Sequence, residues 1–315
     1  MRVCVTGGAG FIGSHLVQRL LGRGWQVTVV DSLCDNYDPA FKRANLAALE
    51  HPRLSVLEGD VLDRRVMDAA LDGVDAVAHL AALGGVRASM ERPDTYWSTN
   101  VGGTLSVLQA CQRRGVGQLI FASSSSVYGD RPAGPTAEEA GVGEPASFYA
   151  ATKQAGEGLC EAFQRAGVLD VTCLRLFSVY GPRQRPDLVM SRFARRLLAG
   201  EALPLYGDPS SSRDYTHVDD VVSGLSAALA SAAGSGHRVL NLGSGRPLPL
   251  ADLVRQLERH TGREARLDRR PAQPGDVRHT CADISRAGRE LGYAPRVSLE
   301  DGVASLVDWI RASGC

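Results

Sequence analysis

The stretch "RVCVTGGAGFIGSH" (2–15) runs from an apolar segment into a glycine-rich turn and then into a helical pattern. Gly7, Gly10 and Gly13 are spaced G-x-x-G-x-x-G. Glycines permit a tight turn and a close backbone approach to a pyrophosphate, and the next helix presents free N–H groups to it. The stretch therefore predicts a strand, a phosphate-binding loop and a helix. The alternative is a turn that only packs the helix on the strand.

The second apolar segment, "QVTVV" (26–30), is followed directly by an acidic residue, Asp31. A carboxylate there accepts hydrogen bonds from the adenosine ribose 2′-OH and would repel a 2′-phosphate. This favours NAD over NADP. Asp60 follows the third strand, where a side chain could reach an adenine. "HLAAL" (79–83) ends the fourth with small residues that let a cofactor lie close.

Short apolar segments alternate with longer helical patterns over the first half of the chain. Strands are predicted at 2–6, 26–30, 54–58, 75–80, 118–123 and 170–176, with helices at 11–23, 94–114 and 148–166. Continuous Val/Ile/Leu strands separated by helices indicate an α/β fold, a doubly wound parallel (Rossmann) sheet.

After about residue 177 the alternation weakens, and helices are predicted at 188–200, 218–232, 249–260 and 298–312. We therefore expect a Rossmann domain over 1–176 and a smaller, mainly helical substrate domain over 177–315. The chain is expected to return to the first domain near 215–243, and "SAAGSG" (231–236) to form an exposed turn.

Composition excludes several classes of protein. Of 315 residues, 35 are Lys or Arg and 35 are Asp or Glu, so no overall field favours nucleic acid or an anionic membrane. The seven cysteines and seven histidines show neither metal-ligand spacing nor a disulfide framework. The N-terminus enters a strand at once, without signal-peptide character, and no segment reaches the roughly 18 apolar residues of a membrane helix. We expect a soluble, cytoplasmic protein without a metal.

Tyr149 and Lys153 lie four apart in "SFYAATKQAGE" (147–157), so they share one face of a predicted helix. By itself the spacing also fits an ordinary surface pair. A phenol has a pKa near 10, which a lysine cation and an oxidised nicotinamide would lower toward that of a useful base. Upstream, "ASSSSVYGD" (122–130) follows the fifth strand with a cluster of hydroxyls.

The order of these motifs resembles that of the extended short-chain dehydrogenase/reductase family. The matching segments are "TGGAGFIG", "HLAA", "STNVGGT", "SSSSVYG", "YAATK" and "RDYTHVDD" (213–220). The resemblance implies NAD as cofactor and Ser124, Tyr149 and Lys153 as the catalytic triad. The candidate cofactor-binding residues are Gly7, Gly10, Phe11, Ile12, Gly13, Asp31, Asp60, Val61, Leu80, Ala81, Ala82, Asn100, Tyr149 and Lys153.

The type of reaction is indicated by the two residues that follow Ser124. Family members that dehydrate nucleotide sugars usually carry an Asp-Glu pair where this chain has Ser125 and Ser126, and decarboxylating members usually keep a Glu. Without those carboxylates the simplest chemistry is oxidation at C4 and re-reduction from the other face. This is a 4-epimerisation.

The sugar is indicated by "LFSVYGPRQRPDLVMSRF" (176–193), which resembles the same segment of UDP-glucuronate 4-epimerases. The resemblance implies that Arg185 lies near the nicotinamide and the sugar, and that serines hold the C6 carboxylate. Neutral donors would do so without adding positive charge, which should help to prevent loss of CO2. The alternative is that Arg183 and Arg185 are solvated loop charges.

The same resemblance implies diphosphate and ribose contacts by Arg213 and Asp276, a uracil-framing strand at "LPLYG" (203–207), and a loop at "GGVRAS" (84–89) that closes over the sugar. The candidate substrate-binding residues are Val86, Arg87, Ser125, Ser126, Ser178, Arg185, Arg192, Leu205, Tyr206, Arg213 and Asp276.

Three other functions stay open. A 4-epimerase for neutral UDP-sugars, such as UDP-glucose or UDP-N-acetylglucosamine, would share every catalytic residue. A UDP-glucuronate decarboxylase is disfavoured by Ser126, and a non-catalytic NAD-binding protein by the intact triad. Helices 94–114 and 148–166 resemble the family's four-helix dimer interface, so we expect a homodimer; the alternative is that they only cover the sheet.

Overall fold

A computed structural model describes residues 1–231, 234 and 236–313. Its strands are β1 (Arg2–Thr6), β2 (Gln26–Asp31), β3 (Leu54–Glu58), β4 (Ala76–His79), β5 (Gln118–Ser124), β6 (Asp170–Leu176), β7 (Ser178–Tyr180), β8 (Leu203–Tyr206), β9 (Ser212–His217), β10 (His237–Leu242), β11 (Pro247–Pro249) and β12 (Leu267–Arg270). The main sheet has seven strands in the order β3-β2-β1-β4-β5-β6-β10, and all its pairs are parallel. The predicted parallel α/β sheet is confirmed.

The α-helices are α1 (Phe11–Gly22), α2 (Pro39–Ala47), α3 (Arg64–Ala70), α4 (Val86–Glu91), α5 (Pro93–Tyr96), α6 (Gly103–Arg114), α7 (Phe148–Arg165), α8 (Val189–Leu198), α9 (Val218–Ala230), α10 (Leu250–Thr261), α11 (Ser285–Leu291) and α12 (Leu299–Ala312). A π-helical turn (Trp97–Gly102) joins α5 to α6, and short 3₁₀ turns lie at Ser125–Tyr128 and Glu138–Ala140. The predicted helix over 94–114 is thus one helical rod with an irregular middle.

Helices cover both faces of the main sheet, which explains why its strands are apolar on both sides. One face packs a core against α1 and α9, with Leu16 and Leu225 fully buried. The other packs a core against α3, α6 and α7, with Leu108 and Cys160 fully buried. Burying a side chain as large as Leu contributes about 1.5–3 kcal/mol.

The second half of the chain builds a third core beside the carboxyl ends of the main strands. It joins α8, α10 and α12 to two small sheets, β11-β9-β7 and β12-β8. Between these parts, α9 packs on α1 and β10 pairs with β6 in the main sheet. Of the turn predicted at 231–236, residues 232, 233 and 235 lie outside the described residues.

Within the described part of the chain, no helix is long and apolar enough to cross a membrane. The same residues contain no cluster of three or more His, Cys, Asp or Glu side chains that could hold a metal ion.

Candidate active site

A cavity of about 590 Å³ lies at the carboxyl ends of the central strands. Its walls run from the glycine-rich loop after β1, past the ends of β2, β4 and β5, to residues 176–193 and 275–280. Ligands of open parallel sheets bind at this edge, because the strand ends and the helix N-termini meet there.

The glycine-rich loop is a tight turn in which a side chain at either of two glycines would collide with neighbouring backbone. Gly7 has φ +71°, and a Cβ on it would lie 2.7 Å from the Ala81 nitrogen. A Cβ on Gly13 would lie 2.1 Å from the Gly7 oxygen. Helix α1 begins at Phe11, and no side chain caps its first N–H groups. This uncapped helix start beside bare backbone fits a dinucleotide pyrophosphate.

Asp31, the last residue of β2, is buried at the cavity wall and is already hydrogen-bonded. Its carboxylate accepts from the Ala9 nitrogen at 3.2 Å, the Leu33 nitrogen at 2.9 Å and the Lys42 Nζ at 3.1 Å. Lys42 is buried on α2 and escaped the sequence analysis, because nothing in the sequence distinguishes it from the exposed Arg43 beside it. A cation on Asp31 offsets the charge from which the NAD preference was argued.

Ser124, Tyr149 and Lys153 line the same cavity. Ser124 ends β5, while Tyr149 lies in the first turn of α7, where the Ser147 hydroxyl accepts from the Ala150 nitrogen. Lys153 follows one turn later, and its Nζ donates to the Ala122 carbonyl at 2.7 Å. The geometry thus joins a phenol, a hydroxyl and an ammonium beside the glycine-rich loop, a set that can exchange protons with an alcohol.

The pKa shifts of Tyr149 and Lys153 differ from those expected from the sequence. Burial raises the pKa of Tyr149, and a hydrogen bond with Ser124 and the charge of Arg185 oppose that rise. Burial also lowers the pKa of Lys153 to about 8. We expected Lys153 to lower the pKa of the phenol, but here its ammonium is directed at a backbone carbonyl, 5.9 Å from the centre of the Tyr149 ring.

A buried ion pair between Glu157 and Arg175 lies next to the triad. Glu157, one turn beyond Lys153, accepts from Ser123 Oγ at 2.5 Å and from two nitrogens of Arg175, at 2.9 and 2.8 Å. The sequence analysis missed both partners. The available signal was the spacing of Tyr149, Lys153 and Glu157, which puts all three on one face of α7.

The sugar-side candidates also reach the cavity. Lining it are Val86, Arg87, Ser125, Ser126, Ser178, Arg185, Arg192, Tyr206, Arg213 and Asp276. Ser126 Oγ donates to Ser124 Oγ at 3.0 Å, so the hydroxyl cluster is continuous with the triad. Arg185 is held by both carboxylate oxygens of Asp187 and donates to the Gly84 carbonyl at 3.2 Å.

The remaining arginines of the cavity fall into two groups. Arg87 pairs with Asp276 at 3.0 Å and stacks over the Tyr206 ring at 4.2 Å. Arg213 donates to backbone carbonyls, including that of Arg278 at 2.9 Å. Neither Arg213 nor Arg192 has a carboxylate partner among the described residues, so their charge is available to an anion.

Two predicted contacts do not lie on the cavity wall. The Asn100 side chain bonds the Leu83 nitrogen and oxygen at 2.8 and 3.0 Å and the Thr152 hydroxyl at 3.0 Å, so it braces the wall from behind. Leu205 packs into the third core, because alternate residues of β8 face opposite sides and Tyr206 takes the cavity side.

Comparison with known proteins agrees with this arrangement. A sequence profile of the NAD dependent epimerase/dehydratase family matches residues 3–243. UDP-glucuronate 4-epimerase 4 of Arabidopsis thaliana is 40% identical over 326 residues, an alignment that covers 98% of this chain and 74% of the plant protein.

Solved structures extend the similarity to the whole chain. The UDP-glucuronic acid 4-epimerase of Bacillus cereus, in complex with UDP-glucuronic acid and NAD, superposes with a TM-score of 0.95 at 35% identity, covering 99% of this chain and 100% of that one. MoeE5 in complex with UDP-glucuronic acid and NAD superposes with a TM-score of 0.90 at 39% identity, with the same coverage.

Proposed function

This chain belongs to the NAD dependent epimerase/dehydratase family, and we propose that it interconverts UDP-glucuronate and UDP-galacturonate with bound NAD. The observation that carries the proposal is one cavity that joins the glycine-rich loop, the Ser124–Tyr149–Lys153 set and a cluster of serines. Proteins named as UDP-glucuronate 4-epimerases align over nearly the whole chain.

The cofactor end of the cavity fits NAD. The bare backbone at Gly7 and Gly13 and the start of α1 would hold the pyrophosphate, and Asp31 with Lys42 would hold the adenosine ribose. Bound there, NAD would supply the hydride acceptor, and then the hydride donor, for the reaction at C4 of the sugar.

Tyr149 is the proposed acid–base. As phenolate it takes the C4 hydroxyl proton, and it gives a proton back when the C4 alcohol re-forms. Ser124 hydrogen-bonds both the phenol and the reacting oxygen. Because burial raises the pKa of Tyr149, the phenolate needs nearby positive charge, which Arg185 and an oxidised nicotinamide would supply.

The sugar nucleotide would span the two parts of the chain. Ser125, Ser126 and Ser178 are proposed donors to the C6 carboxylate, and Arg192 and Arg213 to the diphosphate. We propose that residues 1–176 bind NAD and also supply the serines at 125 and 126, while residues 177–315 supply the other UDP-sugar contacts and β10 returns to the first part.

We also propose a homodimer formed through the helices within 93–114 and 148–165. Two exposed aromatic residues, Trp97 and Phe148, lie on these helices. A cytoplasmic location stays a prediction from the scattered cysteines.

The test is NMR of the purified protein without added NAD, incubated separately with UDP-glucuronate, UDP-glucose and UDP-N-acetylglucosamine. Formation of UDP-galacturonate is expected. Turnover of the neutral sugars alone would overturn the assigned substrate, and a pentose product with CO2 would identify a decarboxylase.

Tyr149→Phe tests the mechanism with the same assay. Removing the general acid–base should lower turnover by at least about 10²-fold, while HPLC of the denatured protein still finds its NAD. Near-normal turnover would remove Tyr149 from the proton transfer.

A further inference from the structure

We propose that Asp187 is a positioning residue that balances the charge of Arg185 beside the sugar and thereby suppresses loss of CO2 during epimerisation. The inference rests on the proposed function, because it concerns a side reaction of the same keto sugar. Asp187 was not among the residues predicted from the sequence.

The contact between the two side chains is bidentate. Arg185 donates from Nε to Asp187 Oδ1 at 3.0 Å and from Nη2 to Oδ2 at 2.6 Å. Two parallel charge-assisted hydrogen bonds fix the plane of a guanidinium as well as its position. The Arg185 side chain is 16% exposed and faces the cavity, whereas that of Asp187 is 48% exposed and stands behind it.

The loop around the pair is held in place. Pro186 lies between the two partners and restricts the backbone there. Gln184 donates to the Val179 carbonyl at 3.0 Å and accepts from the Ser191 nitrogen at 3.1 Å, which ties the loop to β7 and α8. The carboxylate is therefore presented to Arg185 by a fixed segment.

The arginines proposed to bind the diphosphate differ from the arginine beside the sugar in whether a carboxylate neutralises them. Arg192 and Arg213, proposed for the diphosphate, have no carboxylate partner among the described residues, while Arg185, beside the sugar, has its own. The Arg185 charge reaches the Tyr149 hydroxyl, where it favours the ionised form. In the proposed mechanism that hydroxyl faces the C4 oxygen, so Arg185 acts on charge that develops there.

Neutralising the Arg185 charge matters because the 4-keto sugar can lose CO2. A 4-keto glucuronate is a β-keto acid: when its C5–C6 bond breaks, CO2 leaves and the bonding electrons pass through C5 to the C4 oxygen as an enolate, which then takes a proton at C5. No oxidant or reductant is consumed. A full cation near the C4 oxygen stabilises that enolate, whereas a cation paired with Asp187 stabilises it less.

The test is Asp187→Asn, which keeps the side-chain size and one hydrogen bond to Arg185 but removes the charge. We expect the ratio of decarboxylated product to UDP-galacturonate to rise at least several-fold; that product is counted as CO2 together with the UDP-4-keto-pentose and the UDP-pentose that forms when the hydride returns to C4. The acid limb of the kcat/KM profile should also move to lower pH, because an unbalanced cation lowers the pKa of the phenol. Asp187→Glu should restore both.

Two further variants isolate the cause. Arg185→Gln combined with Asp187→Asn should return the product ratio to that of the parent protein, because the effect acts through Arg185. Asp268→Asn is the matched control. Asp268 pairs at 2.7 Å with Arg270, with the same two-residue spacing as Arg185 and Asp187, and neither Asp268 nor Arg270 lines the cavity. It should leave the ratio and the pH limb unchanged.

An Asp187→Asn protein that is merely slower, with the parent product ratio and pH limb, would overturn the inference and make the pair a loop contact only. That result would leave the proposed function intact. Failure of the unmodified protein to convert UDP-glucuronate would instead overturn both.

Discussion

Lys42 changes how the adenosine end of the cavity should discriminate between cofactors. Asp31 alone would repel a 2′-phosphate, but with Lys42 at 3.1 Å the pair is close to neutral. Discrimination then depends on hydrogen bonds and space more than on net charge. The proposed preference for NAD is therefore weaker than Asp31 by itself suggests.

We expect Lys42→Met to strengthen the preference. The bare Asp31 carboxylate, still hydrogen-bonded by the Ala9 and Leu33 nitrogens, should lower the affinity for NADP relative to NAD by roughly tenfold, about 1.4 kcal/mol. Competition between the two cofactors for cofactor-depleted protein measures this. Arg43→Met, on the exposed side of α2, is the control. A ratio that moves toward NADP would contradict the charge argument.

Residues set by local sequence were easier to predict than residues set by packing. Tyr149 and Lys153 follow from the start of one helix, and a cluster of hydroxyls from the end of one strand, so their common edge of the sheet was foreseeable. The choice of Ser124 within that cluster came from the family resemblance. Asn100 and Leu205 lie off the cavity wall, because the face that each presents depends on neighbours distant in sequence. Lys42 and Arg175 escaped notice because their partners are distant in sequence, and Asp187 because its spacing from Arg185 does not by itself show that the two side chains pair beside the cavity.

At the scale of elements, one face of α7 joins the triad to the sheet. Tyr149, Lys153 and Glu157 follow one another along it, and Glu157 bonds Ser123 on β5 and Arg175 on β6. The carboxylate thereby links the helix that carries the phenol to the strand that ends at Ser124. This is a structural link, and its loss should affect stability first.

Glu157→Gln should lower the free energy of unfolding by about 3 kcal/mol or more, because it leaves the Arg175 guanidinium buried without its counter-charge. Urea denaturation followed by circular dichroism measures the loss. Glu161→Gln, which breaks the exposed pair with Arg165 on the same helix, should cost less than about 1 kcal/mol. Equal costs for the two variants would contradict the role of burial.

The π-helical turn at Trp97–Gly102 is the element that the pattern could not predict. Periodicity over 94–114 indicates a regular helix, and a single widened turn barely disturbs it. The turn nevertheless contains Asn100, which bonds the Leu83 backbone on the cavity wall. An irregular element of this kind is set by tertiary hydrogen bonds, which leave little trace in the composition.

At the scale of the whole molecule, the main sheet was predictable because strands buried on both faces must be apolar throughout. The small sheets were not. β11 has three residues and β12 reads "LDRR", so neither carries the apolar alternation that indicates a strand. They form because β11 hydrogen-bonds to an edge of β9 and β12 to an edge of β8. Those edges exist only in the folded chain.

The proposed homodimer is likewise a question about the whole molecule. Trp97 and Phe148 are 55% and 46% exposed, although large apolar side chains are usually buried, and both lie on the helices proposed for the interface. Helix α7 also packs against the π-helical turn that begins at Trp97, so the two residues belong to neighbouring elements. Homodimer interfaces are rich in such apolar surface.

If these helices form the interface, Trp97→Glu and Phe148→Glu should each bury a charge between subunits and shift the protein toward monomer. Sedimentation velocity at micromolar concentration would show the change from about twice the chain mass to the chain mass. Leu267→Glu is the control, since Leu267 is 45% exposed but lies on β12, away from both helices. A dimer that persists in both variants would move the interface elsewhere, and a monomeric parent protein would mean that the exposed aromatic residues serve another contact. Because the cavity lies within one chain, the monomeric variants should keep their bound NAD.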